Sequence, residues 1–157
     1  MKKLSLVLLL IPFFGFSQIE NSIKLKVAIV QQMIKKGADA ELNYWQTKGK
    51  ITYNIVNYTE EQNPIFKELF CNQFREIVPI YNKMIVSEDE KDTNLFIKTL
   101  IRQEDDYRNL LTKNQLELYL KKLADFEAND IQTNDSYSSL FFSEKLLQEF
   151  KIRFDYR

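Results

Sequence analysis

The 157-residue chain has no histidine and one cysteine, Cys71. Without histidine, Ser-His-Asp triads, Cys-His nucleophiles and zinc sites of the usual Cys and His types cannot be assembled within one chain. A lone cysteine excludes a disulfide scaffold. It reads either as a small buried apolar residue beside Phe70 and Phe74 or as half of a dimer-forming disulfide. Charge of one sign is missing too, with 22 Lys and Arg against 22 Asp and Glu. Three glycines and three prolines are too few to punctuate many tight β-turns. What is present is apolar: 45% hydrophobic and 13% aromatic residues can bury a core and are unlike a disordered tail.

Residues 1–17 carry Lys2 and Lys3, then an apolar stretch over 4–16 interrupted by Ser5, Pro12 and Gly15. The stretch is shorter than the ~20 residues that span a bilayer. Gly15 and Ser17 are small residues at the minus 3 and minus 1 positions of a cut before Gln18. This is the pattern of a secretory signal peptide, and it predicts a single helical domain over 18–157, periplasmic or secreted, with no stable membrane anchor after cleavage. No cysteine follows the cut, so a lipid-anchored form is not expected. Cleavage removes two lysines and leaves 20 basic and 22 acidic side chains, a net charge near −2. A chain of that balance lacks the basic excess of a nucleic-acid-binding protein.

The spacing of apolar residues predicts an all-α fold. Ile23, Val27, Val30 and Ile34, with Met33 alongside, mark a first helix that Gly37 ends or interrupts, and the pattern resumes through Ala38, Leu42 and Trp45 toward Gly49. Residues 50–58 favour a strand by propensity. Phe66, Phe70, Phe74, Ile77, Tyr81 and Met84 step by threes and fours, with Leu69, Val78 and Ile85 widening the stripe. Pro79 lies inside it and predicts a kink near residues 75–78 or a break. Ser87 and Glu90 have the spacing of a capping box for a third helix, on Phe96, Leu100, Tyr107 and Leu111, ending near Leu110. Another helix is expected over 112–126, a loop over 128–136, and a last helix over 140–150.

Two segments share a pattern: Tyr58-Thr59-Glu60-Glu61-Gln62 and Leu111-Thr112-Lys113-Asn114-Gln115. In each, the Thr hydroxyl can cap a helix while the Gln three residues on reaches back to the N–H of the cap, the reciprocal capping box. Pro64 follows the first pattern closely, which leaves Asn63 as an alternative cap with Pro64 in the first helical position. With these motifs in an exported helical chain, the sequence resembles the periplasmic LTxxQ-motif stress proteins, the Spy and CpxP group. Leu111, Thr112 and Gln115 match fully, and Thr59 and Gln62 match with Tyr58 in the place of Leu. The resemblance spans roughly residues 58–123.

It implies a bent or kinked helical hairpin, often a cradle-shaped homodimer, acting as an ATP-independent chaperone or an envelope-stress protein. From residue spacing alone the alternative architecture is a small bundle of about four to five helices. The chain departs from the group in lacking a strongly basic inner face and the histidines of its metal-sensing relatives. The expected partner is protein, either unfolded clients or one dedicated envelope partner of a structural or regulatory module, with homodimerisation as a further expectation. No catalytic, cofactor-binding or metal-ligating residues are assigned and no cofactor is called for. Phe66, Phe70, Phe74 and Tyr81 are the candidate apolar partner face, weighed against an ordinary core role.

Two sharper patterns fail on their own terms. Asp125, Glu127, Asn129 and Asp130 imitate the start of a calcium loop, but Asp130 stands where glycine is needed and Ser136 where Glu is needed. Glu104, Asp105 and Asp106 are adjacent carboxylates, which on a helix point in different directions and are expected to form a wetted face with Arg102 and Arg108.

Overall fold

A computed structural model describes residues 4–129, 137 and 139–156, with side chains described from Gln18 onward apart from Asn129. The described residues are all-helical: α1 (Leu4–Ile34), a short 3-10 turn (Gly37–Asp39), α2 (Ala40–Val56), α3 (Gln62–Ser87), α4 (Glu90–Asn109), α5 (Lys113–Asn129) and α6 (Glu144–Arg153). The expected all-α class holds. The count is six α-helices among the described residues rather than four or five. Short connections fold α2, α3 and α4 back on one another, with α3 packed on both neighbours. α5 crosses over to α2, α1 lies on α2 and α3, and α6 joins α1 to α4. These contacts build a closed bundle, thicker than a hairpin, and the reason is the number of apolar stripes. Six helices each offer a face, and each is covered by another.

The α3 stripe reads correctly as an amphipathic face: Phe66, Phe70, Phe74, Ile77, Tyr81 and Met84 are all buried. They meet Phe96, Ile97, Ile101 and Tyr107 of α4, while Tyr119 and Leu123 of α5 and Phe141, Leu147 and Phe150 near the C-terminus complete the core. Rings run through it in succession, Phe66 lying 5.9 Å from Tyr107, and Tyr107 lying 5.2 Å from Tyr119 and 5.6 Å from Phe141.

Several local expectations are corrected. Residues 50–56 are the end of α2 and not a strand, because Thr52, Ile55 and Val56 bury at helical spacing and a lone strand would leave its backbone groups unpaired. α2 passes through Gly49, where the Trp45 ring lies against the backbone and occupies the space a Cβ would need. Asn57 then ends the helix in the left-handed conformation at φ 49°, its N–H on the Tyr53 carbonyl. α3 runs unbroken through Pro79, which sits on the exposed face, where water can reach the Arg75 carbonyl that loses its partner.

The cap of α4 is Asp89, which accepts from the Lys91 N–H at 2.9 Å. Ser87 belongs to the end of α3 and accepts from Asp89. The last helix begins at Glu144 rather than 140, because Ser143 caps it and Phe141 and Phe142 leave the helical path to enter the core. Residues 128 and 129 of the expected loop extend α5, and 130–136 lie outside the described residues. On α1 the packed face is Ile19, Ser22, Lys26, Val30 and Met33, rotated from the expected stripe so that Ile23 and Val27 are only half-buried.

Candidate functional site: a glutamine clamp and a buried polar cluster

Both predicted capping boxes form. The Thr59 N–H donates to Gln62 Oε1 at 3.0 Å, and the Gln62 N–H donates to Thr59 Oγ1 at 3.3 Å. The Asn63 N–H already bonds the Thr59 carbonyl at 3.1 Å, so Thr59 and not Asn63 is the effective cap, and Pro64 lies within the helix. The second box repeats this geometry: the Thr112 N–H donates to Gln115 Oε1 at 3.1 Å, and the Gln115 N–H donates to Thr112 Oγ1 at 3.3 Å.

The two boxes also grip each other. Gln62 Nε2 donates to Gln115 Oε1 at 3.0 Å and Gln115 Nε2 donates to Gln62 Oε1 at 2.9 Å, a reciprocal amide pair across 53 residues of sequence. Each side-chain oxygen thereby accepts two hydrogen bonds, one from its own cap and one from the other motif, which fills its two lone pairs. The arrangement pins the N-termini of α3 and α5 together at one end of the bundle, where α2 and α4 end. Tyr58, standing where the motif has Leu, packs its ring 5.0 Å from Phe66 and 5.3 Å from Tyr53 and donates its hydroxyl to Asn63 Oδ1 at 3.2 Å. The junction is mechanical: its polar groups are spent on one another.

Phe66, Phe70, Phe74 and Tyr81 are the interior of the chain's own bundle, at 1%, 0%, 5% and 6% exposure. As a partner face they are corrected: Tyr44 and Trp45 of α2 and Phe96 and Tyr107 of α4 cover them.

The centre of the bundle holds a polar cluster that the spacing of apolar residues does not announce. Lys26 of α1, Lys48 of α2, Gln73 of α3, and Gln103 and Glu104 of α4 are all buried. Lys26 Nζ donates to the Phe141 carbonyl at 2.8 Å and lies 3.7 Å from the centre of the Phe142 ring. Burial pulls its pKa down to about 7, against the opposing pull of the Glu104 carboxylate, while Lys48 adds to the lowering. Lys48 Nζ donates to Gln73 Oε1 at 3.0 Å and to the Tyr44 hydroxyl at 3.4 Å. Gln73 and Gln103 exchange bonds between side-chain nitrogen and backbone carbonyl at 2.8 and 3.0 Å, stapling α3 to α4.

Glu104 accepts from Arg108 Nε at 2.8 Å and from the Tyr119 hydroxyl at 2.6 Å, so it is not part of a wetted face. Its burial, with this carboxylate close by, holds the Tyr119 hydroxyl well above the ordinary range. Asp105 and Asp106 are half-buried and pair with Lys151 and Arg102, each at 2.8 Å. Lys26, Tyr44, Lys48, Gln103, Glu104 and Phe142 border a void of about 10 Å³, room for roughly one water. Lysine, tyrosine and carboxylate from separate helices thus converge, but on a space too small for an organic substrate.

The signal for this cluster is positional. Lys26 stands between Ile19, Ser22 and Val30 on one face of α1, and Lys48 stands four residues from both Tyr44 and Thr52. Cys71 is buried with a free thiol, its pKa raised first by burial and then by Glu41. Among the described residues no group of three or more acidic or cysteine side chains is placed to hold a metal ion, and no helix is long and apolar enough to cross a membrane. Comparison with family models, curated proteins and solved structures gives no match to this chain.

Proposed function

We propose that the chain is an exported, non-enzymatic helical protein of the LTxxQ kind that works by binding other proteins without nucleotide, as a chaperone or envelope-stress protein. The observation that carries this reading is the Gln62–Gln115 amide pair, which makes the two motifs one structural unit rather than two coincidental caps. Further support comes from the leader-like residues 1–17, which direct the rest to the periplasm or outside the cell.

With the aromatic stripe internal, the binding surface must lie elsewhere. Tyr53 near the end of α2, Ile65 in the first turn of α3 and Leu118 in the second turn of α5 are 50%, 50% and 52% exposed, and all belong to the clamp end of the bundle. Leu110, after α4, is exposed at the same end. These scattered side chains are the apolar surface offered to a protein partner.

A dedicated envelope partner is the second reading. The burial of Phe66, Phe70, Phe74 and Tyr81 favours it, because a promiscuous holdase needs a broad apolar surface. The test is suppression of aggregation of two unrelated unfolding proteins by residues 18–157, at near-stoichiometric ratio and without nucleotide. Protection of both is expected from a chaperone. Protection of neither contradicts chaperoning and leaves the single-partner reading, for which one saturable protein ligand should be recoverable from envelope extracts.

A further inference from the structure

Residue 18 is a glutamine, and it becomes the amino terminus if the chain is cut where its leader pattern places the cut. Its side chain is exposed on α1, while the next residue, Ile19, is buried at 7% exposure and Glu20 is tied to Arg153 of α6 at 2.6 Å. We infer that Gln18 is a modification site at which the mature chain closes its own terminus into a pyroglutamyl ring. The inference rests on the export reading above.

The reaction is internal and balanced. The free α-amine attacks the side-chain carbonyl carbon Cδ, the N–Cδ bond forms, the Cδ–Nε2 bond breaks, and the nitrogen leaves as ammonia after taking up the proton the amine gives up. No oxidant or co-substrate is needed. Every ring atom belongs to Gln18, so closure requires no movement of the packed Ile19 and no space beyond what an exposed side chain has.

Two features of the place favour it. The nucleophile is the neutral amine, and a new terminus at the start of a helix sits among backbone N–H groups whose dipole disfavours positive charge, which enlarges the neutral fraction. Closure then removes that charge altogether and relieves the same repulsion. It also denies exopeptidases a free amine at the edge of the packed segment that holds Ser22 and Lys26 in the core.

The test uses the full 1–157 chain, expressed in a bacterium and recovered from the exported fraction. The product is aged alongside an unstructured peptide carrying the sequence from Gln18 onward, until the peptide has fully closed, and both are read by intact mass and by Edman degradation. The expected product begins at Gln18, is lighter by one ammonia and is refractory to Edman chemistry, whereas exported Gln18→Ala keeps a free amine. A product that begins at Gln18 and still carries its amine after the peptide has closed overturns the cyclisation and leaves export standing. A product that begins at another residue overturns the cyclisation and moves the cut, whereas a chain that keeps its leader and is absent from the exported fraction overturns both.

Discussion

At the residue scale, two glutamines and one lysine carry most of the information. Gln62 and Gln115 each close their own cap and bond each other, so removing either breaks three hydrogen bonds in which its side chain takes part. Gln62→Ala and Gln115→Ala should each cost about 1–2 kcal/mol of folding stability, the range of a lost cap with a partner left unpaired. In urea denaturation the double variant should cost less than the two together, with a coupling near 1 kcal/mol, as expected for residues in direct contact. Strict additivity would contradict the clamp.

Lys26 gives a pH signature. Its folded pKa is about 7 and its ordinary value 10.5, so between those limits the unfolded chain holds a proton that the folded chain has released. Stability from this residue therefore rises as pH climbs from about 7 toward 10.5, and is flat below that window. The difference in melting temperature between the native chain and Lys26→Met should shift in favour of the native chain from pH 7 to pH 9.5. A pH-independent difference would mean that the ammonium stays charged inside the bundle. Neither effect is legible in residue types alone: the capping boxes could be read from spacing, but their mutual bonding depends on α5 crossing back to the start of α3.

At the scale of elements, the sequence was most legible where one apolar stripe was long. α3 over Gln62–Ser87 shows its face plainly, and Pro79 could not break it because it falls on the wet side. Residues 50–56 show the opposite case. Their β-branched and aromatic types favour strand locally, yet packing of Thr52, Ile55 and Val56 at helical spacing overrides a preference worth under about 1 kcal/mol. The rotation of the buried face of α1 has a similar origin, since Lys26 is polar by type and is buried because the Phe141 carbonyl and the Phe142 ring receive its ammonium.

Gly49 is the test at this scale. Alanine is the better helix former by about 1 kcal/mol, but at this position its methyl meets the Trp45 ring, itself packed 6.2 Å from Phe70. Gly49→Ala should therefore lower the melting temperature and quench or shift the Trp45 fluorescence. A rise in stability with an unchanged spectrum would show that the ring moves freely aside.

At the scale of the whole molecule, the all-α class follows from scarce glycine and proline with apolar residues at helical spacing. The closed bundle does not, because it depends on which faces cover which. A hairpin would leave Phe66, Phe70, Phe74 and Tyr81 to be shared with a partner, and the six helices cover them within one chain. Any protein-binding activity must then reside in exposed side chains such as Ile65 and Leu118 at the clamp end. The most direct measurement is the aggregation-suppression assay with the native chain, the double variant Ile65→Ser and Leu118→Ser, and Val86→Ser as an exposed control at the opposite end of α3. The account predicts suppression by the native chain and by Val86→Ser and its loss in the double variant, with all three melting within a few degrees of one another. Unaltered suppression by a folded double variant, or none by the native chain, would contradict it.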